Sequence, residues 1–321
     1  MKTLIVGSGP IGRWLALRLQ KADTDVTLLA RTGTRRHLEQ NGIEIVDGLT
    51  GERQHARVGL VERLDAEDRY DLVVVAMQKA SRVAACPMLA EDPHLKNILF
   101  LGNDVSGFHR YFDHLPREVV LLGFPGAGGG WVGEDLVVMD REKPRSHHGE
   151  LFLGELDGTT GERPRQIKKL FEAADIRVSL ENDIDGWLKY HYAFIAPTAG
   201  AIFKKRGDLQ AVAGDRELLH QYCRACREAG NVLRKVGYHK RQPGVFNLYY
   251  WLPRFLEPFI FGKMFGSRSA EVRFGLHAPT VGPELLEMAD EFEELKTKAE
   301  METPDLDALL SHVPRPGAPL R

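Results

Sequence analysis

Residues 2–12 read Lys2-Thr3-Leu4-Ile5-Val6-Gly7-Ser8-Gly9-Pro10-Ile11-Gly12, and Trp14, Leu15, Leu17 and Leu19 follow at helical spacing. A short β-rich apolar run, glycines at G-x-G-x-x-G spacing and a periodic apolar stretch predict strand, tight turn and helix. Glycines at these places let the chain turn sharply, admit a pyrophosphate close to the backbone amides and bring helix against strand. The spacing alone is a weak sign; its position between a first strand and a helix, within a βαβ unit, strengthens it. Gly7, Ser8, Gly9, Pro10, Ile11 and Gly12 are therefore expected to bind a dinucleotide cofactor.

Outward from this turn, apolar runs at 25–30 (DVTLLA), 72–76 (LVVVA), 97–101 (NILFL) and 119–123 (VVLLG) alternate with helical spacing at 81–90 and 105–115. Nearly continuous apolar strands separated by helices fit a parallel sheet covered on both faces, and right-handed crossovers make it doubly wound, of Rossmann type. A glycine-rich stretch at 126–130 reads as a flexible connection before strands near 135–139 and 150–153. From about residue 162 strand signals stop, and 165–174, 183–205, 209–236, 245–265 and 283–300 carry helical periodicity. The expected class is α/β, with a cofactor-binding domain over 1–162, an all-helical domain over 163–302 and an irregular tail over 303–321 rich in proline.

In a chain of 321 residues, 43 Lys+Arg nearly balance 45 Asp+Glu, so the net charge of -2 gathers no polyanion and a nucleic-acid partner is not expected. No apolar run approaches the roughly 18 residues of a membrane span, and with Lys2 to Val6 already reading as a strand no targeting segment is expected. Three cysteines are too few for a disulfide framework, which fits a reducing, cytoplasmic setting without a membrane partner. The balance conceals one local cluster. Where an acid at the end of the second strand would take the ribose 2′-hydroxyl of NAD, the sequence has Ala30 and Arg31, with Arg35 and Arg36 behind. A cationic fork suits a 2′-phosphate and points to NADP(H), the plainer alternative being a solvated basic helix start.

The opening KTLIVGSGPIGRWLALRLQKADTDVTLLAR, followed by a helical second half, resembles the ketopantoate reductase (2-dehydropantoate 2-reductase) family. Leu101-Gly102-Asn103 looks like the family's Gln-Asn-Gly turn, whose asparagine lies near nicotinamide and substrate. Asp185-Gly186-Trp187-Leu188-Lys189 is similar to the segment carrying the family's catalytic lysine, and Ser267-Arg268-Ser269-Ala270-Glu271 to one with a serine and a glutamate facing the active site. The likeness runs from residue 1 to about 295, dense at the N-terminus and sparse beyond. Two departures stand out. The helix after the lysine reads Tyr190-His191-Tyr192-Ala193-Phe194, without the family's asparagines, and Gln78 stands where the family often has a lysine, leaving Lys79 one position late.

The resemblance implies reduction of 2-dehydropantoate to pantoate, on the way to coenzyme A, with cofactor and 2-oxo acid held between two domains and with homodimers a family expectation. It makes Lys189 the general acid, Glu271 the carboxylate holding it, Asn103 the residue orienting substrate or nicotinamide ribose, Ser269 a carboxylate anchor and Gln78 part of the cofactor site. His191 either replaces an amide donor, donates the proton itself, or is a satisfied core histidine. A bulkier oxo acid, or a regulator that binds NADPH without turnover, are the alternatives that the missing asparagines leave open. His220, Cys223 and Cys226 recur every third residue on one helix but lack a fourth ligand, so they read as helix core and no metal is expected. The aromatics from Phe246 to Phe265 read as core, substrate wall or dimer face.

Overall fold

The computed structural model describes residues 1–65, 68–139, 149–240, 244–276 and 278–315. The chain forms two compact units, Met1–Gly102 with Phe108–Ile184, and Asn103–Gly107 with Asp185–Arg321. The division thus falls at Ile184/Asp185 rather than at 162/163.

In the first unit the chain runs β1 (Thr3–Val6), α1 (Pro10–Lys21), β2 (Val26–Leu29), α2 (Thr32–Asn41), β3 (Ile43–Asp47), β4 (Arg53–Ala56), β5 (Gly59–Val61), β6 (Leu72–Val75), α3 (Lys79–Ala90) and β7 (Ile98–Leu101). It continues through β8 (Val120–Pro125), β9 (Gly128–Val132), β10 (Asp135–Met139), β11 (Leu151–Glu155), α4 (Glu162–Ala173) and β12 (Val178–Leu180). Eight strands make one sheet in the order β12-β11-β8-β7-β6-β1-β2-β5. From β5 to β8 all pairs are parallel; β11 then runs antiparallel to β8, with Leu153 opposite Gly123. β1 and β6 are wholly buried, as strands covered by helices on both faces must be. The chain order reverses between β1 and β6, which puts the sheet's switch point at the end of β1.

A second, four-stranded sheet, β4-β3-β10-β9, was not expected. Helix α1 packs on both sheets, its Trp14, Leu15 and Leu17 sharing one core with Ile43, Ile45, Leu136 and Val138. The glycine run read as a flexible connection is mostly β9, antiparallel to β10. A side chain at Gly129 would meet the Val137 carbonyl oxygen at 2.2 Å, so glycine there serves strand pairing. The helix expected at 105–115 is a 3₁₀ segment, Gly107–Asp113, and the strand β12 lies in a region where strand signals had ended.

The second unit is helical: α5 (Ile184–Lys204), α6 (Leu209–Gly214), α7 (Arg216–Lys235), α8 (Leu248–Trp251), α9 (Glu257–Phe265), α10 (Arg268–Ala270), α11 (Ala278–Ala299) and α12 (Pro304–Leu310), with a π-helical turn at Glu271–Gly275. The expected single helix over 209–236 is two, because Asp215 leaves the helical backbone and its carboxylate caps α7 by accepting from the Leu218 amide at 2.9 Å. The stretch 245–265 breaks at Leu252, held extended (ψ 126°) ahead of Pro253. Phe246, Tyr249, Phe261 and Phe265 enter the core, whereas Trp251, Phe255 and Phe259 are 74%, 73% and 73% exposed. Cys223 and Cys226 are fully buried, and Glu257, itself buried, accepts from Arg227 at 2.6 Å and pairs with His220 at 2.7 Å.

The tail expected to be irregular from Thr303 begins with α12. Pro304 occupies its first turn, where a missing N–H costs nothing, and the Glu228 carboxylate accepts from the Asp305 and Leu306 amides at 3.0 Å. Leu306 and Leu309 are buried in the helical core. Residues 316–321, with Pro316 and Pro319, lie outside the described residues. Among the described residues no helix is long and apolar enough to cross a membrane.

Candidate active site

The glycine turn sits at the carboxyl end of β1. Gly7 has φ +116°, and a side chain there would strike the Ala76 carbonyl oxygen at 2.5 Å, so the turn is set against the end of β6. At Gly12 a Cβ would fall 1.8 Å from the Gly7 carbonyl oxygen, which forces glycine where α1 crosses the turn. At Gly9 the opposite holds: nothing lies within 4 Å of that position. Gly9 is also the N-cap of α1, with no side-chain cap and no acidic residue in the first turn, so the first amides and the positive end of the helix dipole face that open space. A pyrophosphate is the group such a cradle suits. Arg13, not singled out by sequence, donates from Nε to the Ser8 carbonyl at 2.8 Å and lies over the Trp131 ring at 5.0 Å. It holds the turn's shape and adds a cation beside it; burial lowers its pKa from the ordinary arginine value. Gln78 is the exposed N-cap of α3, directly after the β6 end that meets Gly7, while Lys79 is fully buried.

At the end of β2 the three arginines are not equivalent. Arg31, the N-cap of α2, is exposed and its side chain has no partner among the described residues. Arg35 donates from Nε to Glu39 at 2.8 Å and lies 3.8 Å from Glu62, so the cationic fork is reduced to Arg31 and Arg36. Glu62, one residue past β5, also accepts a short hydrogen bond from the Thr32 hydroxyl.

In the second unit Lys189 is 4% exposed, and its ammonium forms a short ion pair with Asp185, one helical turn earlier on α5. The Tyr238 hydroxyl donates to the other Asp185 oxygen at 2.7 Å, and the Tyr238 ring lies 4.9 Å from the Lys189 nitrogen. The carboxylate holding Lys189 is thus Asp185. Glu271, expected in that role, pairs instead with Arg268 at 2.6 Å and is 58% exposed at the start of the π-helical turn. Ser269 is buried in α10, and Asn103 is half-buried in the short segment whose Val105 belongs to the helical core. Asp185 stood inside the segment that identified Lys189; its spacing of four residues was the available signal, but such pairs mostly occupy exposed helix faces.

His191 stacks on Trp187, ring centroids 5.1 Å apart at 12°. Burial, with a smaller effect from the Arg273 charge, pushes its pKa down to about 3, so at neutral pH the ring is an uncharged hydrogen-bonding group and not an imidazolium acid. Replacing His191 with asparagine is expected to leave the shape of the kcat profile unchanged between about pH 5 and 8, the range where an ordinary histidine titrates. A limb of that profile disappearing in the variant would show that the imidazole supplies the proton.

The glycine cradle thus lies at the switch point of the doubly wound sheet in the first unit, and the buried, carboxylate-held lysine lies in the helical second unit. Residues 3–154 match the family model described as ketopantoate reductase PanE/ApbA. The chain is 25% identical over 246 residues to the uncharacterized oxidoreductase YkpB of Bacillus subtilis (strain 168), covering 74% of this chain and 76% of that one. Its fold is that of a 2-dehydropantoate 2-reductase from Geobacter metallireducens GS-15 (TM-score 0.77, 15% identity, 98% and 99% of the two chains covered). It is also that of a D-mandelate dehydrogenase holding NADH and anilino(oxo)acetate (TM-score 0.75, 14% identity, 98% and 97% covered).

Proposed function

We propose that the chain is a cytoplasmic, NADPH-dependent reductase that converts a 2-oxo acid to its 2-hydroxy acid, with 2-dehydropantoate the first substrate to test. The observation that carries this reading is the Lys189–Asp185–Tyr238 arrangement: a nearly buried ammonium, fixed by a carboxylate that is fixed in turn. Gly7 to Gly12 and the first amides of α1 would hold the pyrophosphate, and Arg31 the 2′-phosphate. When bound, the cofactor supplies the hydride that goes to C2 of the oxo acid. Lys189 neutralises the charge growing on the ketone oxygen and then transfers a proton to it, recovering one from solvent. Asn103 and Ser269 are assigned to orienting the substrate.

Asp185→Asn keeps the side chain's size and removes the charge that locates the ammonium, so kcat should fall by about 10- to 100-fold, the scale of a misplaced catalytic group. Asp185→Glu, which can still reach the ammonium, should recover part of the loss, and NADPH affinity should not change in either. Equal kcat in the wild type and Asp185→Asn would remove Asp185 from the site.

The Tyr238 ring lies 4.9 Å from the Lys189 nitrogen, and this aromatic contact favours an aryl 2-oxo acid as the second reading; Trp187 and His191 stack on each other on another face of α5. A panel of 2-oxo acids containing both 2-dehydropantoate and an arylglyoxylate, followed by NADPH oxidation, tests both. Oxidation with at least one member is expected. Tight NADPH binding with no oxidation by any would leave a nucleotide-binding regulator instead.

A further inference from the structure

The parallel pairing of β2 with β5 sets Thr27 opposite Gly59, Leu28 opposite Leu60 and Leu29 opposite Val61, and the Ala30 amide donates to the Val61 carbonyl at 2.9 Å. The next residue along β5 is Glu62, so a carboxylate stands beside the end of β2 although β2 itself carries none. Its two oxygens are directed at α2's first turn: one accepts from the Thr32 hydroxyl, the other faces the Arg35 guanidinium at 3.8 Å. Glu62 remains 44% exposed and borders an open depression of about 990 Å³ that Leu60, Val61, Arg35 and Arg63 help to line.

At the end of the second strand of such a sheet, a carboxylate accepts a hydrogen bond from a ribose 2′-hydroxyl, and a cation accommodates a 2′-phosphate. Here the two stand side by side, Arg31 on the β2 end and Glu62 on the β5 end. We propose that Glu62 is a specificity-determining residue for the cofactor, acting against Arg31: it accepts the 2′-hydroxyl of NADH, repels the 2′-phosphate of NADPH and holds Arg35 away from that phosphate. The enzyme then keeps usable affinity for both cofactors, and the ratio between them is set by one carboxylate contributed from the neighbouring strand. The inference rests on the glycine turn being the nicotinamide cofactor site; it does not depend on which substrate is reduced.

The test is calorimetric titration of the full chain with NADPH and with NADH, for the wild type, Glu62→Gln, Glu62→Ala and Arg31→Ala. Because Glu62 is partly exposed, both of its variants should melt within a few degrees of the wild type. Removing the charge should raise the NADPH-to-NADH affinity ratio by about tenfold, the scale of one charge-assisted contact discounted for exposure. The gain should appear in NADPH affinity, and NADH affinity should fall or hold. An unchanged ratio in both Glu62 variants, with both cofactors still binding, overturns the proposal. A wild type that prefers NADH and ignores Arg31→Ala, yet gains NADPH affinity in Glu62→Gln, sinks the NADPH reading and supports the role of Glu62. Binding of neither cofactor overturns both.

Discussion

Lys189→Ala is expected to lower turnover by about 10²–10⁴-fold, the contribution of a positioned general acid, and to leave NADPH affinity nearly unchanged. Lysines on helices mostly extend to water, and this one does not: it is 4% exposed and ion-paired within its own helix, and Tyr238 holds the carboxylate from the other side. Such a placement commits the ammonium to one position, which is what a developing alkoxide needs and a surface lysine lacks. The variant removes both charge neutralisation and proton delivery, so the loss should fall on kcat more than on KM. Because the deletion leaves the Asp185 charge without its partner, the melting temperature must be measured beside kcat. Arginine at 189 keeps the charge and gives up the proton, so it should restore stability but not turnover. Wild-type kcat in Lys189→Ala on the true substrate would end the assignment.

Arg31→Ala should cost one to two decades in NADPH affinity, since a hydrogen bond to a charged group contributes about 1.5–3 kcal/mol. The size of the effect follows from Arg31 being the arginine that the fold leaves open: its side chain has no partner among the described residues, whereas Arg35 is drawn to Glu39 and Glu62. NADH, which has no 2′-phosphate, should bind the variant as well as the wild type. Calorimetry with both cofactors decides. An equal loss for NADH and NADPH would mean that Arg31 supports the local backbone; no loss for either would mean that the 2′-phosphate, if read at all, is read elsewhere.

The features legible in the sequence are the local ones. β1, the glycine turn and α1 are legible because strand, turn and helix follow one another within one βαβ unit, and each glycine answers to a neighbour a few residues away, as Gly12 does to Gly7. The second sheet is not legible. Its β4, Arg53–Ala56, is largely polar and three of the five residues of β9 are glycine, and both become strands by pairing, with β3 and with β10, which itself joins β3 from some 90 positions along the chain. At the site the same contrast appears. Lys189 is found through its surrounding segment, and Asp185 is already in that segment, but only packing shows that this pair is buried. Glu62 has no local mark at all: its position comes from the register of a three-residue strand. Arginine counting likewise overstates the cationic fork, because charge in sequence takes no account of the acids that fold back onto it.

We propose that hydride passes from NADPH to C2 of a 2-oxo acid while Lys189 delivers the proton. Cofactor carrying deuterium at the transferable C4 position, incubated with the active oxo acid in ordinary water, tests it directly through the product's mass and proton spectrum. The expected product is a 2-hydroxy acid with deuterium at C2 and an ordinary, exchangeable hydroxyl proton, formed by the wild type and nearly absent with Lys189→Ala. A product without deuterium at C2, or equal labelled product from both proteins, would contradict it.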